Sequence, residues 1–171
     1  MPHYTASDAH INTLAELEVL RREWREAGLK VVFTNGVFDL LHRGHVTYLA
    51  AAAELGDVLV VGINDDASVR QLGKGEDRPI VAEEDRALVV AALRSVGAVV
   101  LFGEDTPLAL ISALLPDVLV KGGDYDAEET NPQQPRYIVG SAEVRAQGGE
   151  VATIDLVPGR STTAIAGKIK R

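Results

Sequence analysis

Residues 31–45, VVFTNGVFDLLHRGH, constrain the fold of this chain more than any other stretch. Val31-Val32-Phe33 is a short β-branched and aromatic run that predicts a buried strand. Thr34-Asn35-Gly36 then supplies turn chemistry. After His42-Arg43-Gly44-His45 comes VTYLAAAAEL, a strong helix former closed by Gly56. Two histidines three positions apart therefore stand where a strand end passes into a helix. At that spacing they share one helical face. The mouth of the helix offers backbone N–H groups and a partial positive charge, which suits phosphate. The competing reading is a histidine pair that only packs the strand-to-helix turn.

The rest of the chain repeats the alternation. Thr13-Leu14-Ala15-Glu16 has the capping-box pattern and opens a helix ending near Gly28, with Leu14, Leu17, Val19, Leu20 and Trp24 at rough helical spacing. Further strands are expected at 58–63, 98–102, 118–120 and 151–154. Further helices are expected at 83–95, 106–115 and 141–147 and from Ser161 to the end. The 83–95 helix is expected to turn Leu88, Val89, Ala92 and Leu93 inward. Continuous apolar strands between helices indicate a parallel sheet covered on both faces. The expectation is an α/β fold, a Rossmann-like doubly wound five-stranded parallel sheet in a single domain. Residues 1–12 read as a flexible N-terminal tail and 13–171 as the domain. No GxGxxG follows a strand, so dinucleotide binding is unsupported.

In such folds ligands bind beyond the strand C-termini, and the remaining motifs fall there. Lys74 lies between Gly73 and Gly75 after the second strand and reads either as a phosphate clamp or as a solvated loop lysine. Lys121-Gly122-Gly123-Asp124 ends the fourth strand. There the glycines admit close backbone approach, Lys121 can meet phosphate and Asp124 can accept from sugar hydroxyls; a bland turn is the alternative. Arg160-Ser161-Thr162-Thr163 opens the last helix, where hydroxyls and N–H groups suit a triphosphate or simply cap the helix. Arg86 and Arg94 point to one side of their helix, toward either a site or solvent. Asp39 reads as a residue that orients backbone or a metal-bound water, not as a general base.

Composition narrows the partners. The 171 residues carry a net charge of −8 and no cysteine. That argues against nucleic acid and anionic membranes, which attract basic surfaces, and it excludes thiol chemistry. Neither a signal peptide nor a membrane-length apolar run is visible, so cytoplasm is the expected compartment.

The strand, glycine turn, Phe38-Asp39, HxGH and helix resemble the signature of the cytidylyl- and adenylyltransferase superfamily. The position of Ser161-Thr162-Thr163 is similar to its second signature, with Arg160 replacing the usual apolar residue. Asn64-Asp65-Asp66-Ala67-Ser68, Arg78-Pro79, Glu104 to Pro107, Leu115 to Tyr125 and Gly148 to Val151 extend the match. Together they resemble the D-glycero-β-D-manno-heptose 1-phosphate adenylyltransferase family in its stand-alone form. The proline-rich 126–140 loop departs from it.

The resemblance implies ATP, with Mg²⁺ bound to it, and a heptose 1-phosphate as substrates, ADP-heptose and pyrophosphate as products, and a homodimer. It implies His42, His45 and Lys74 as catalytic residues. It implies nucleotide contacts from Asn35, Gly36, Val37, Phe38, His42, Gly44, His45, Arg160, Ser161, Thr162 and Thr163. Sugar-phosphate contacts would come from Asp39, Arg86, Lys121, Gly122, Gly123 and Asp124, with no protein-bound metal. Transfer to glycerol phosphate or another small phosphate, or a non-catalytic nucleotide-binding module, are the alternatives.

Overall fold

The computed structural model describes residues 10–73 and 77–169. Their elements run β1 Ile11–Asn12, α1 Leu14–Glu26, β2 Val31–Gly36, α2 Arg43–Ala53, β3 Val58–Asn64, α3 Asp66–Gln71 and α4 Glu83–Ala91. They continue with β4 Ala98–Phe102, α5 Leu108–Leu114, β5 Val118–Gly122, α6 Ser141–Ala146, β6 Glu150–Ile154 and α7 Thr162–Ile169. The strands form one sheet in the order β1-β4-β3-β2-β5-β6, all pairs parallel.

Side chains of successive strand residues leave on opposite faces, and both faces are covered. Val32, Leu59, Val61, Val99 and Val118 pack with Leu49 and Ala52 of α2 and with Ala87, Val90 and Ala91 of α4. Val31, Phe33, Val60, Val100 and Leu119 pack with Leu17 of α1, Leu110, Ile111 and Leu114 of α5 and Val144 of α6. This is why each strand reads as an unbroken apolar run. After β2 the chain winds outward through β3 and β4, then returns to lay β5 on the other side of β2. The topological switch therefore lies between β2 and β5, whose C-terminal ends carry Asn35-Gly36 and Lys121-Gly122.

The sheet has six strands where five were expected. The addition is Ile11–Asn12, placed in the tail by sequence, which pairs with Val99 and Val100 of β4. Two residues are too few for a periodic signal, and only the neighbouring edge recruits them.

Helix α4 corrects a second expectation. Leu88 and Val89 are 47% and 48% exposed, while Arg86, Ala87, Val90 and Ala91 face inward. Buried hydrogen bonds of Arg86 set the rotation of this helix, and a charged residue is read from sequence as outward. Helix α5 begins at Leu108, two residues inside the expected 106–115 range, with Pro107 at its N-cap.

Candidate active site

A cleft of about 620 Å³ opens at the switch point. It is lined by Asn35 and Gly36 of β2, the Val37-Phe38 turn, His42, Gly44, His45 and Tyr48 at the start of α2, and Asn64 of β3. Asp105 to Pro107 line it before α5, Lys121, Gly122, Asp124 and Tyr125 at the end of β5, and Leu156, Val157 and Arg160 to Thr162 at the start of α7. Its size suits a small organic ligand.

The histidines form its centre. Their rings stack at 3.9 Å between centroids, 14° from parallel. His42 is the N-cap of α2, yet its side chain caps nothing. The Phe38 and His45 rings meet edge to face, 5.3 Å between centroids. Gly44 is required by this packing: a Cβ there would lie 2.9 Å from Cε1 of His42 and 3.3 Å from Cβ of Arg160. The second distance also places the two distant signatures side by side.

Burial pushes the His45 imidazole down to about 4, and the neighbouring His42 adds to the shift; hydrogen bonding to the Leu40 backbone carbonyl opposes it. His45 is thus a neutral donor or acceptor at physiological pH.

On the β5 side, Lys121 Nζ donates to Asn35 Oδ1 at 2.6 Å and stands 5.3 Å from the centre of the Tyr125 ring. Tyr48 shares a 2.8 Å hydrogen bond with Thr34. Burial holds the Tyr48 phenol up at about 12, so it stays protonated. Burial, and then the Asp124 carboxylate, raise Tyr125 as well. On the α7 side, Ser161 Oγ accepts from the Ala164 N–H at 3.1 Å. The capping reading of Ser161 is therefore correct, and its hydroxyl proton stays available to a ligand.

Four expected contacts are not in the cleft. Arg86 is 1% exposed, with its guanidinium bonded to Val81, Val37 and Asp66. Asp39 is 3% exposed and accepts from the Ile80 and Val81 N–H groups at 2.8 and 2.9 Å, which matches its backbone-orienting reading and not a sugar-phosphate contact. The Gly123 N–H donates to Ile154 and ties β5 to β6. Thr163 is exposed and outside the lining. Lys74 lies outside the described residues.

Tyr48, Leu72, Val139, Leu156 and Val157 line the cleft without having been singled out by sequence, and Asn64, Asp105, Thr106, Pro107 and Tyr125, read there only as parts of motifs and not as site residues, line it too. Tyr48 and Asn64 carried a weak signal, as polar groups at the edge of apolar segments.

Comparison with known proteins agrees with this geometry. The bifunctional protein HldE of Methylobacillus flagellatus is 55% identical over 148 residues, covering 86% of this chain and 28% of that protein. The HldE of Rhodopseudomonas palustris strain BisB5 is 50% identical over 172 residues, covering 99% and 33%. The chain thus spans about a third of the length of these relatives. The crystal structure of the lipopolysaccharide core biosynthesis protein from Thermoplasma volcanium GSS1 superposes with a TM-score of 0.58 at 28% identity, covering 76% of this chain and 98% of that one. Pantoate-beta-alanine ligase from Francisella tularensis, complexed with beta-gamma ATP and beta-alanine, shares the fold at 12% identity and a TM-score of 0.54, covering 94% and 76%. The cytidylyltransferase-like family matches residues 33–167, from the β2 strand through the α7 signature, and this chain belongs to that family of nucleotidyltransferases.

Proposed function

We propose that the chain transfers the adenylyl group of ATP to D-glycero-β-D-manno-heptose 1-phosphate, giving ADP-heptose and pyrophosphate. One observation carries the reading: the stacked His42–His45 pair at the mouth of α2 and Arg160 at the mouth of α7 line one cleft at the switch point. Two helix starts and their side chains converge there, as a triphosphate requires. Similarity to the HldE proteins over most of the chain, and to a lipopolysaccharide core biosynthesis protein, supports a sugar acceptor. The resemblance of its motifs supplies the heptose.

The acceptor phosphate is already an anionic nucleophile, so the protein's task is alignment and stabilisation of charge. In this mechanism its oxygen attacks the α-phosphorus in line with the departing pyrophosphate. His42 and His45 donate to phosphate oxygens, joined by Arg160 and the hydroxyls of Ser161 and Thr162. Lys121, held by Asn35, and Asp124 orient the acceptor. Lys74 is assigned to the phosphates on the resemblance alone. Among the described residues no group of three or more His, Asp or Glu is arranged to hold a metal. On the resemblance, Mg²⁺ would enter with the triphosphate and neutralise part of its charge.

The chain acts in the cytoplasm as a homodimer in this reading. Among the described residues no helix is long and apolar enough to cross a membrane.

Pyrophosphate release measured with ATP and CTP against heptose 1-phosphate, glycerol phosphate and other phosphorylated sugars and polyols tests the proposal. ATP with heptose 1-phosphate should lead. Equal turnover with CTP, or preference for glycerol phosphate, overturns it. His42→Ala and His45→Ala should each lower kcat more than about tenfold, roughly 1.4 kcal/mol at the barrier, with melting little changed.

A further inference from the structure

Val37, Phe38 and Asp39 follow β2 in the turn toward α2, and Phe38 lies in the left-handed region at φ 51°. A bulky side chain is held there only when the surrounding structure fixes the backbone. Two buried charges do so, one on each side of Phe38. Arg86 Nη1 donates to the Val37 carbonyl at 2.7 Å, its Nε to the Val81 carbonyl at 2.9 Å, and its Nη2 to Asp66 Oδ1 at 2.7 Å. Asp39 Oδ1 accepts from the Ile80 and Val81 N–H groups, and its Oδ2 pairs with Arg78 Nε at 2.6 Å.

A guanidinium 1% exposed and a carboxylate 3% exposed are poor choices for packing alone. The inward neighbours of Arg86 on α4 are Ala87, Val90 and Ala91. What the charges secure is the turn. The Phe38 ring then lies under Gly36, where a Cβ would come within 3.1 Å of it, and meets the His45 ring edge to face.

We propose that Arg86 and Asp39 are positioning residues: they hold the left-handed turn at Phe38 so that its ring fixes the orientation of His45 in the cleft. The kinetic consequence rests on the proposed function; the geometric one does not. Lysine at 86 cannot replace the fork, because one ammonium lacks the planar set of donors that serves three acceptors. Asparagine at 39 keeps an acceptor for the two N–H groups but loses the charge facing Arg78.

The test compares wild type, Arg86→Lys and Asp39→Asn by melting, steady-state kinetics and NMR of the histidine rings, with His45 assigned through His45→Gln. Loss of the Phe38 ring current should displace the His45 ring signals while those of His10 stay put. In the same variants kcat should fall by about tenfold or more, with KM for ATP within about threefold of wild type. Folded variants with wild-type His45 signals and wild-type kcat overturn the proposal. So does a loss of kcat with unmoved His45 signals, which would put the effect elsewhere. Should Arg86→Lys fail to fold, Asp39→Asn decides by the same criteria. The ring signals need no substrate. A wild type that releases no pyrophosphate with any nucleotide would sink the functional reading, while the NMR comparison still decides this one.

Discussion

His45 combines two demands that pull against each other: it must reach phosphate, yet it is packed between His42 and Phe38. Burial first, and His42 second, hold its imidazole near 4, against an ordinary value of 6.5. In the unfolded chain it protonates at the ordinary value. Between those two values the unfolded state binds more protons, so stability rises with pH across that window. The contribution is fully present above pH 6.5 and is lost as pH falls toward 4. Melting temperatures recorded from pH 7 to pH 4 should therefore fall more steeply for wild type than for His45→Gln. Parallel curves would mean that the ring is solvated in the folded protein. The two histidines and Gly44 were legible in sequence because their spacing is local. The depressed titration was not, because it depends on what packs against the ring.

Helix α4 shows where local reading stops. Its apolar positions support two inward faces, and a side-chain pattern alone favours the one carrying Leu88 and Val89. The chain uses the other, because Arg86 bonds inward to Val37, Val81 and Asp66 and brings Val90 to the core. Leu88→Gln and Val89→Gln should thus change unfolding free energy by no more than about 0.5 kcal/mol. Val90→Ala, which removes two buried methyl groups, should cost on the order of 2 kcal/mol. Urea unfolding checks both, and a large loss at Leu88 would restore the sequence-based face. Helix α1 is the opposite case. Its capping box between Thr13 and Glu16 is local chemistry, and it forms as read.

For the whole molecule, the decisive fact is where β5 lands. By pairing with β2 it brings Lys121 to Asn35, and the chain beyond β6 then returns Arg160 to Gly44. Helix α7 completes the cleft although none of its residues is buried. Few buried contacts mean a low cost of local opening. Amides of α7 should exchange rapidly without ligand and slow with ATP and Mg²⁺, while those of β2 stay protected throughout. Protection at the start of α2 with none at α7 would remove Arg160, Ser161 and Thr162 from the nucleotide site. The alternation of apolar strands with helices, the capping chemistry and the HxGH spacing are short-range properties, so the amino-acid order alone determined the α/β class and the histidine pair. The edge strand at Ile11–Asn12, the inward turn of Arg86, the backbone role of Asp39 and the Tyr48 and Tyr125 lining were decided only in three dimensions. Each depends on partners far away in the chain, and a residue type does not name its distant partner.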